Sequence, residues 1–320
     1  MAGKTYDAIV LGLGAMGSAT LYHLAKRGVR VCGIERYGVA HDRGSSHGVL
    51  RAIRKAYFEH PDYVPLLERA YTLWDALQNE SGKNLFVRNG MVLSMSPEST
   101  TCDGLRQSYD LHKLPHEQLD ASEAQTRYPQ FHFPEDHTVF YDPDAGFLFV
   151  ERCIEEHIRL AQGYEADVRI HHDAVGWTED GAEVVVKTDD EVIRGNHLVI
   201  TAGAWAGPLL AELGVPLQIR RKTQFWYAFD DMSRIVPERF PVFFFEMMGG
   251  MYYGFPAVDE TGIKIANHAG GQPVADPDAL DRGLSVPDEA PFLQFLSKVF
   301  PNECPRRTHF SVQIPMMTPV

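Results

Sequence analysis

Short apolar runs alternate with longer amphipathic stretches from the start of the chain. Asp7-Ala-Ile-Val-Leu-Gly12 is an apolar run ending in glycine, Ser18 to Lys26 has helical character, and Val29 to Glu35 is a second strand closed by an acid. The order is strand, tight turn, helix, strand. Tyr63 to Asn79 places apolar residues at helical spacing, and Val150 to Gln162 does so through Ile154, Ile158 and Ala161. Leu85 to Met95 alternates like two paired strands around an Asn89-Gly90 turn. Pro97 to Pro134 is polar with short amphipathic pieces and reads as an inserted helical segment. Strands follow over 168–171, 175–178, 182–188 and 191–194, and then an apolar strand from Asn196 ends in the small residues before Trp205. Beyond Pro216 the strands turn aromatic: 223–229, 241–246, a hairpin at Gly249-Gly250, 251–256 and 262–268.

A buried strand that returns near residue 200 implies a dinucleotide-binding unit that is discontinuous in sequence. The expected fold is α/β: a Rossmann-like domain from 1–84 and 145–215, with an α+β second domain from 85–144 and 216–320 built on an antiparallel sheet. A length of 320 residues favours two domains over one core. Nicotinamide-binding Rossmann domains usually run as continuous alternating strands and helices. None follows residue 36, which favours FAD over NAD.

Charge narrows the partners. Thirty basic against 43 acidic residues give a formal charge of -13, which repels nucleic acid and anionic lipid. No apolar run reaches the roughly 18 residues of a membrane span, and the N-terminus carries no signal-peptide pattern. Cys32, Cys102, Cys153 and Cys304 are scattered, so a cytoplasmic protein with reduced thiols is expected. His60 and the pair His171-His172 show no metal-ligand spacing, and no metal is expected.

Candidate chemistry lies in three stretches. Gly12 lets the chain turn, Gly14 lets backbone amides approach a pyrophosphate, Gly17 lets helix pack on strand, and Glu35 is placed to accept from ribose hydroxyls. The small-residue stretch from His41 leads to Arg51, Arg54 and Lys55, which on a helix would share one face. On the aromatic strands, period two puts Lys264 and His268 on one face, about 13 Å apart, near Tyr253. By pattern alone Lys264, flanked by two isoleucines, suits the solvent side of a half-buried sheet equally well.

These stretches together resemble the family of monomeric sarcosine oxidase, N-methyltryptophan oxidase and pipecolate oxidase. The likeness runs from residue 5 to about 310, through Ile9 to Gly17, His41-x-x-Gly-Ser-Ser-His-Gly-x-x-Arg-x-Ile-Arg-x-Ala-Tyr57, Tyr63-Val-Pro65 with Leu73-Trp74, Thr201-Ala-Gly-Ala-Trp205, and Tyr252-Tyr-Gly-Phe-Pro256 through Gly262-x-Lys-x-x-x-His268. The resemblance implies a monomeric flavoenzyme that oxidises a secondary amine, an N-methyl or cyclic amino acid, to an imine while O2 becomes H2O2. It implies Lys264 as the oxygen-activating group, Arg51 and His47 at the flavin face, Arg54 on the substrate carboxylate, and Tyr253 and His268 in the pocket. The cofactor-binding set expected is Gly12, Gly14, Gly17, Glu35, Arg36, Ser45, Ser46, His47, Val175, Ala202, Gly203 and Trp205.

The chain departs from the family at three places. Leu50 stands where some members have threonine, and Gln313 stands where the family has the cysteine that links the flavin, with Cys304 nine residues earlier a poor substitute. The closing Gly-Phe-Ser-Gly-His-Gly-Phe-Lys stretch, with the second positive charge of the carboxylate clamp, is not present before Val320. The expectation is a truncated chain whose FAD is held without a covalent bond. The alternatives are a dehydrogenase of the same fold using another electron acceptor, and an inactive amino-acid-binding relative.

Overall fold

The computed structural model describes residues 5–210, 214 and 216–317. Met1–Lys4, Ala211–Leu213, Val215 and Thr318–Val320, on which some expected segment ends fall, lie outside the described residues. The first sheet is parallel, with strands in the order Asp167–Ile170, Val31–Glu35, Ala8–Leu11, Leu198–Ile200. Every residue of the two central strands is buried, as a sheet covered on both faces requires. The helices are α1 (Ala15–Lys26), α2 (Val64–Ser81), α3 (Thr100–His112), α4 (Ala121–Arg127), α5 (Val150–Gly163), α6 (Ala206–Leu209) and α7 (Val286–Val299). Helices α1 and α5 share a core with the parallel sheet through Leu21, Ala25, Ile154, Ile158 and Ala161. Thr5–Tyr6, Val192–Gly195, Glu183–Thr188 and Ala174–Asp180 form a second sheet beside it.

Among the described residues, the largest sheet has ten strands. Its path runs Gln272–Val274, Gln218–Ala228, Ile263–Asn267, Gly250–Phe255, Val242–Met247, Met91–Met95, Thr138–Asp142, Glu117–Leu119, with Arg306–Gln313 and Met316–Met317 also paired to 218–228. All these pairs are antiparallel except 242–247 with 91–95. One face is packed by phenylalanines, including Phe131, Phe225, Phe243, Phe245, Phe295 and Phe300. Each such ring contributes about 2–3 kcal/mol of burial. The mixed α/β architecture agrees with the expected fold class, and the hairpin at Gly249-Gly250 forms as read, with Met247 opposite Gly250.

Two local expectations are corrected. Phe86–Val87 and Met91–Met95 do not pair with each other: the first joins Gly146–Phe149, and the second joins 242–247 and 138–142. Gly90 (φ +76°) turns the chain between two sheets, with the Tyr141 ring against the place a side chain would occupy. Second, Leu50–Ile53 is a strand against Gly146–Phe149, not part of a helix. Edge pairing overrides the spacing of three and four, and the three cations separate. Helix α7 forms although it contains Pro291; a capping box between Ser285 and Asp288 starts it, and burial of Phe292, Phe295, Leu296 and Val299 holds it.

Candidate active site

The strand Ala8–Leu11 delivers the chain to Gly12, whose φ of +89° suits only glycine. A Cβ there would lie 2.7 Å from the Thr201 carbonyl oxygen, and one on Gly17 would lie 1.8 Å from the Gly12 carbonyl oxygen. Both glycines are thus dictated by the approach of α1 to the parallel strands. Helix α1 has no acidic residue in its first turn, so its amide end keeps its positive character. Glu35 ends the next strand; its carboxylate accepts from Leu13 N at 2.8 Å, Tyr37 N at 2.9 Å and His41 Nε2 at 3.3 Å. Burial alone would raise its pKa, but these hydrogen bonds outweigh burial and hold it below the ordinary value.

A cleft of about 480 Å³ opens over this turn. Of the expected cofactor residues, Gly12, Gly14, Glu35, Arg36, Ser45, Ser46, Val175, Ala202, Gly203 and Trp205 line it. Gly17 lies behind the turn and His47 lies deeper in the molecule. Sequence reasoning missed Asp278, which accepts from Arg36 (2.9 Å), Trp205 Nε1 (2.9 Å) and Tyr37 Oη (3.4 Å) and so closes one wall. Nothing in the sequence links it to a glycine turn more than 260 positions away. A glycine cradle, a helix amide end, an ionised carboxylate and an aromatic wall in one cleft fit a dinucleotide such as FAD.

From the cleft, residues 44–50 run inward and are gripped by side chains from four elements. Arg51 Nη2 donates to Ser45 O (2.7 Å) and His47 O (3.3 Å), and Gln313 Nε2 donates to His47 O (2.5 Å). Lys264 Nζ donates to Gly48 O (2.6 Å) and Leu50 O (2.7 Å), and Glu151 Oε1 accepts from Gly48 N (2.7 Å) and Val49 N (3.0 Å). Lys264 is 0 % exposed, with the Trp226 and Phe255 rings 5.5 and 5.2 Å from Nζ. The solvent-side placement that its strand pattern allowed is therefore wrong. Burial, then the Arg51 charge, push its pKa well below the usual lysine value, while Glu151 opposes them. His47 is buried with Nε2 unpartnered, and burial lowers its pKa to about 4, so it is neutral at physiological pH.

A second cluster forms around Arg54. The Arg54 guanidinium stacks over Tyr57 (4.3 Å) and Phe58 (4.7 Å) and holds both carboxylate oxygens of Glu59, at 3.3 and 3.2 Å. Phe58 touches Phe244 (5.5 Å between centroids) and meets His268 edge-on (5.7 Å), and Tyr253 lies 6.4 Å from His268. His268 falls just past the strand that carries Lys264, and its pKa is lowered by burial and then by Arg54. The backbone at Tyr57 and Phe58 is fixed by α3: Ser108 Oγ donates to Tyr57 O (2.5 Å), and Gly104 leaves room for the Phe58 carbonyl, which a Cβ would approach to 2.0 Å. Lys55 takes no part, being paired with Asp144 at 2.7 Å. Arg54, Tyr253 and His268 are thus brought together as the sequence suggested. Phe58, Glu59, Phe244 and Glu151 are additions that only the fold reveals. An arginine fork edged by rings and facing solvent through one exposed carboxylate can exchange that carboxylate for another anion.

Among the described residues, no group of His, Cys, Asp and Glu could hold a metal ion, and no helix is long and apolar enough to cross a membrane. Residues 7–315 match the FAD dependent oxidoreductase family. Monomeric sarcosine oxidase of Streptomyces avermitilis is 36% identical over 302 residues, covering 93% of this chain and 78% of that protein. N-methyl-L-tryptophan oxidase of Salmonella typhimurium is 35% identical over 305 residues, covering 92% and 79%. Among solved structures, NikD, an amino acid oxidase of nikkomycin biosynthesis, superposes with a TM-score of 0.86 at 23% identity over 99% of this chain and 83% of that one. L-proline dehydrogenase from P. horikoshii gives 0.84 at 19%, covering 99% and 83%. At those identities the two structures bear on the fold alone.

Proposed function

This chain belongs to the FAD dependent oxidoreductase family, and from that premise we propose that it oxidises a small secondary amino acid, N-methylated or cyclic, with O2 as electron acceptor. It is an FAD-dependent enzyme of the amino acid oxidase type. The reaction removes a C–H and an N–H from the amine to leave an imine, reduces O2 to H2O2, and ends when water hydrolyses the imine. Bound FAD supplies the two-electron relay between amine and oxygen. The chain's own residues do the rest. Gly12 and Gly14 present amides to the pyrophosphate, Glu35 accepts from ribose hydroxyls, and Arg36, Ser45, Ser46, Val175, Ala202, Gly203 and Trp205 enclose the nucleotide. Gly17 fixes α1 behind the turn. His47 and Arg51 line the flavin site, and Arg54 takes the substrate carboxylate in place of Glu59. Tyr253 and His268 orient the amine, and Lys264 provides a fixed positive charge where oxygen is reduced. The observation that carries this reading is a fully buried Lys264 whose Nζ meets the Gly48 and Leu50 carbonyls, on the segment that continues from Ser45 and Ser46 in the cleft wall.

The FAD is held non-covalently. Gln313, which meets His47 O and Arg51, carries no nucleophile, and the four cysteines are free but elsewhere, three buried and Cys304 exposed. The free thiols also support a reducing, cytoplasmic setting, and we read the working unit as a monomer. The ten-stranded sheet, drawn wholly from 85–144 and 216–320, supports a division into 1–84 with 145–215 and 85–144 with 216–320, although Phe86–Val87 pairs across that boundary with Gly146–Phe149.

The test is direct. The purified full chain, supplied with FAD, should release peroxide with sarcosine, N-methyltryptophan or pipecolate, and acid precipitation should leave the flavin in the supernatant. Lys264→Met should slow reoxidation by O2 on the order of a hundredfold while leaving anaerobic reduction by the amine nearly unchanged. Protein that binds no FAD, or that is reduced by the amine yet ignores O2, would sink the oxidase reading.

A further inference from the structure

The backbone that meets Lys264 is held in an unusual shape. Gly48 and Val49 have φ of +92° and +65°, and Leu50 N donates back to Gly48 O at 2.7 Å, closing a three-residue turn around Val49. A valine at positive φ is a genuine outlier, and a turn of this kind is rare and strained. Gly48 allows nothing else, since a Cβ would lie 2.5 Å from Gln224 Oε1. Something must hold the turn.

The first turn of α5 does so from both sides. Glu151 Oε1 takes the two successive amides Gly48 N and Val49 N, and Val150 N donates to Val49 O at 3.0 Å. Convergent amides around one anionic oxygen form the concave arrangement in which backbone binds anions. With its amide on Glu151, Gly48 turns its carbonyl to Lys264, and Leu50 follows. One residue thus carries an anion at its N–H and a cation at its C=O. We propose that Glu151 is a positioning residue for Lys264: it holds the strained Gly48–Val49 turn whose carbonyls anchor the ammonium, and it supplies the opposing charge. The charged and titratable groups acting here are Arg51, Glu151 and His47. Arg51 works against the ammonium, His47 is neutral at neutral pH, and Glu151 supports it. The catalytic meaning rests on the proposed function of Lys264; the structural claim does not.

The test separates geometry from charge. In full-length chain labelled with [ε-13C]lysine, the Lys264 resonance is assigned by its absence in Lys264→Met and followed against pH. FAD affinity is measured by fluorescence titration. Glu151→Gln keeps an acceptor for the two amides but loses the charge; its Lys264 midpoint should fall by about one pH unit with FAD affinity within about threefold of the parent. Glu151→Ala should show the same midpoint shift and weaken FAD binding about tenfold, because the turn beside Ser45 and Ser46 relaxes. Adding Val49→Gly to Glu151→Ala relieves the strain and should restore FAD affinity but not the midpoint. An unmoved midpoint in both Glu151 variants overturns the proposal, as does an FAD affinity that Val49→Gly fails to restore. Should Glu151→Ala not fold, the Glu151→Gln midpoint decides. A chain that meets these outcomes yet oxidises no amine would leave the proposal standing and reject the function.

Discussion

Gly17→Ala sets two effects against each other. An alanine in a helix interior is normally favoured over glycine by about 0.5–1 kcal/mol. At this position the new Cβ would sit 1.8 Å from Gly12 O and 2.6 Å from Thr201 Oγ1. Real Cβ atoms do not approach closer than 3.0 Å, so α1 or the glycine turn must shift by about 1.2 Å, the difference of the two distances. The oxygen cannot yield freely, because Thr201 Oγ1 donates to it at 2.7 Å and Gly12 N is bonded to Ile34 O at 2.8 Å. Overpacking of this kind costs about 1–3 kcal/mol, and a lost hydrogen bond adds about 1 kcal/mol. Packing therefore wins, for a net loss of about 1–3 kcal/mol, and the amides facing the cleft move with the helix. The assay is urea unfolding of the flavin-free chain beside FAD titration. Gly17→Ala should lower the midpoint and weaken FAD binding at least tenfold. Gly163→Ala, at the end of α5 with nothing within 4 Å of its Cβ position, is the control and should stabilise by up to about 1 kcal/mol. If Gly17→Ala matched that control in stability and bound FAD as tightly as the parent, the reasoning would be refuted.

Arg54→Lys keeps the charge but loses the fork, and should raise KM for the amino acid about 10–100-fold with a smaller change in kcat; an unchanged KM would remove Arg54 from substrate binding. Phe58→Ala empties the space between Arg54, Phe244 and His268, and should shift the ratio of kcat/KM toward bulkier N-methyl amino acids by about tenfold. A constant ratio across sarcosine, pipecolate and N-methyltryptophan would show that the ring sets no limit. His157 is buried against Tyr22 and Trp74, and burial lowers its pKa to about 3. The unfolded chain therefore takes up this proton first as pH drops below about 6.5. Stability present above that pH should be lost on the way to pH 4 by roughly 3 kcal/mol. Comparing the acid limb of parent and His157→Phe by thermal melts checks this, and identical limbs would contradict it.

The parts legible in the sequence were those with local causes. Gly12, Gly17 and Glu35 declare themselves because a tight turn, a close helix and a strand-end acid each demand one residue type at a short, fixed distance. The aromatic strands were readable because period two survives along them. The misreadings had non-local causes. Arg51, Arg54 and Lys55 keep helical spacing but lie in or just past a strand, because Gly146–Phe149 offers a partner for that segment. Lys264 has the pattern of a surface lysine, and only the arrival of Gly48 and Leu50, more than 210 positions earlier, shows why a cation can be buried there. Glu151 and Asp278 gave no signal, since each acts on a loop encoded elsewhere in the chain.

The strand Leu198–Ile200 beside Ala8–Leu11, and the Thr201 hydroxyl on the Gly12 carbonyl 189 positions away, also bear on how the molecule is made. At ribosomal speeds, roughly 10–40 s separate the emergence of the glycine turn from that of its neighbour. The nucleotide site is begun first and finished late. Until then the nascent chain carries an apolar strand edge, Ala8–Leu11, in search of a partner, which makes the interval a window for chaperone capture or for mispairing.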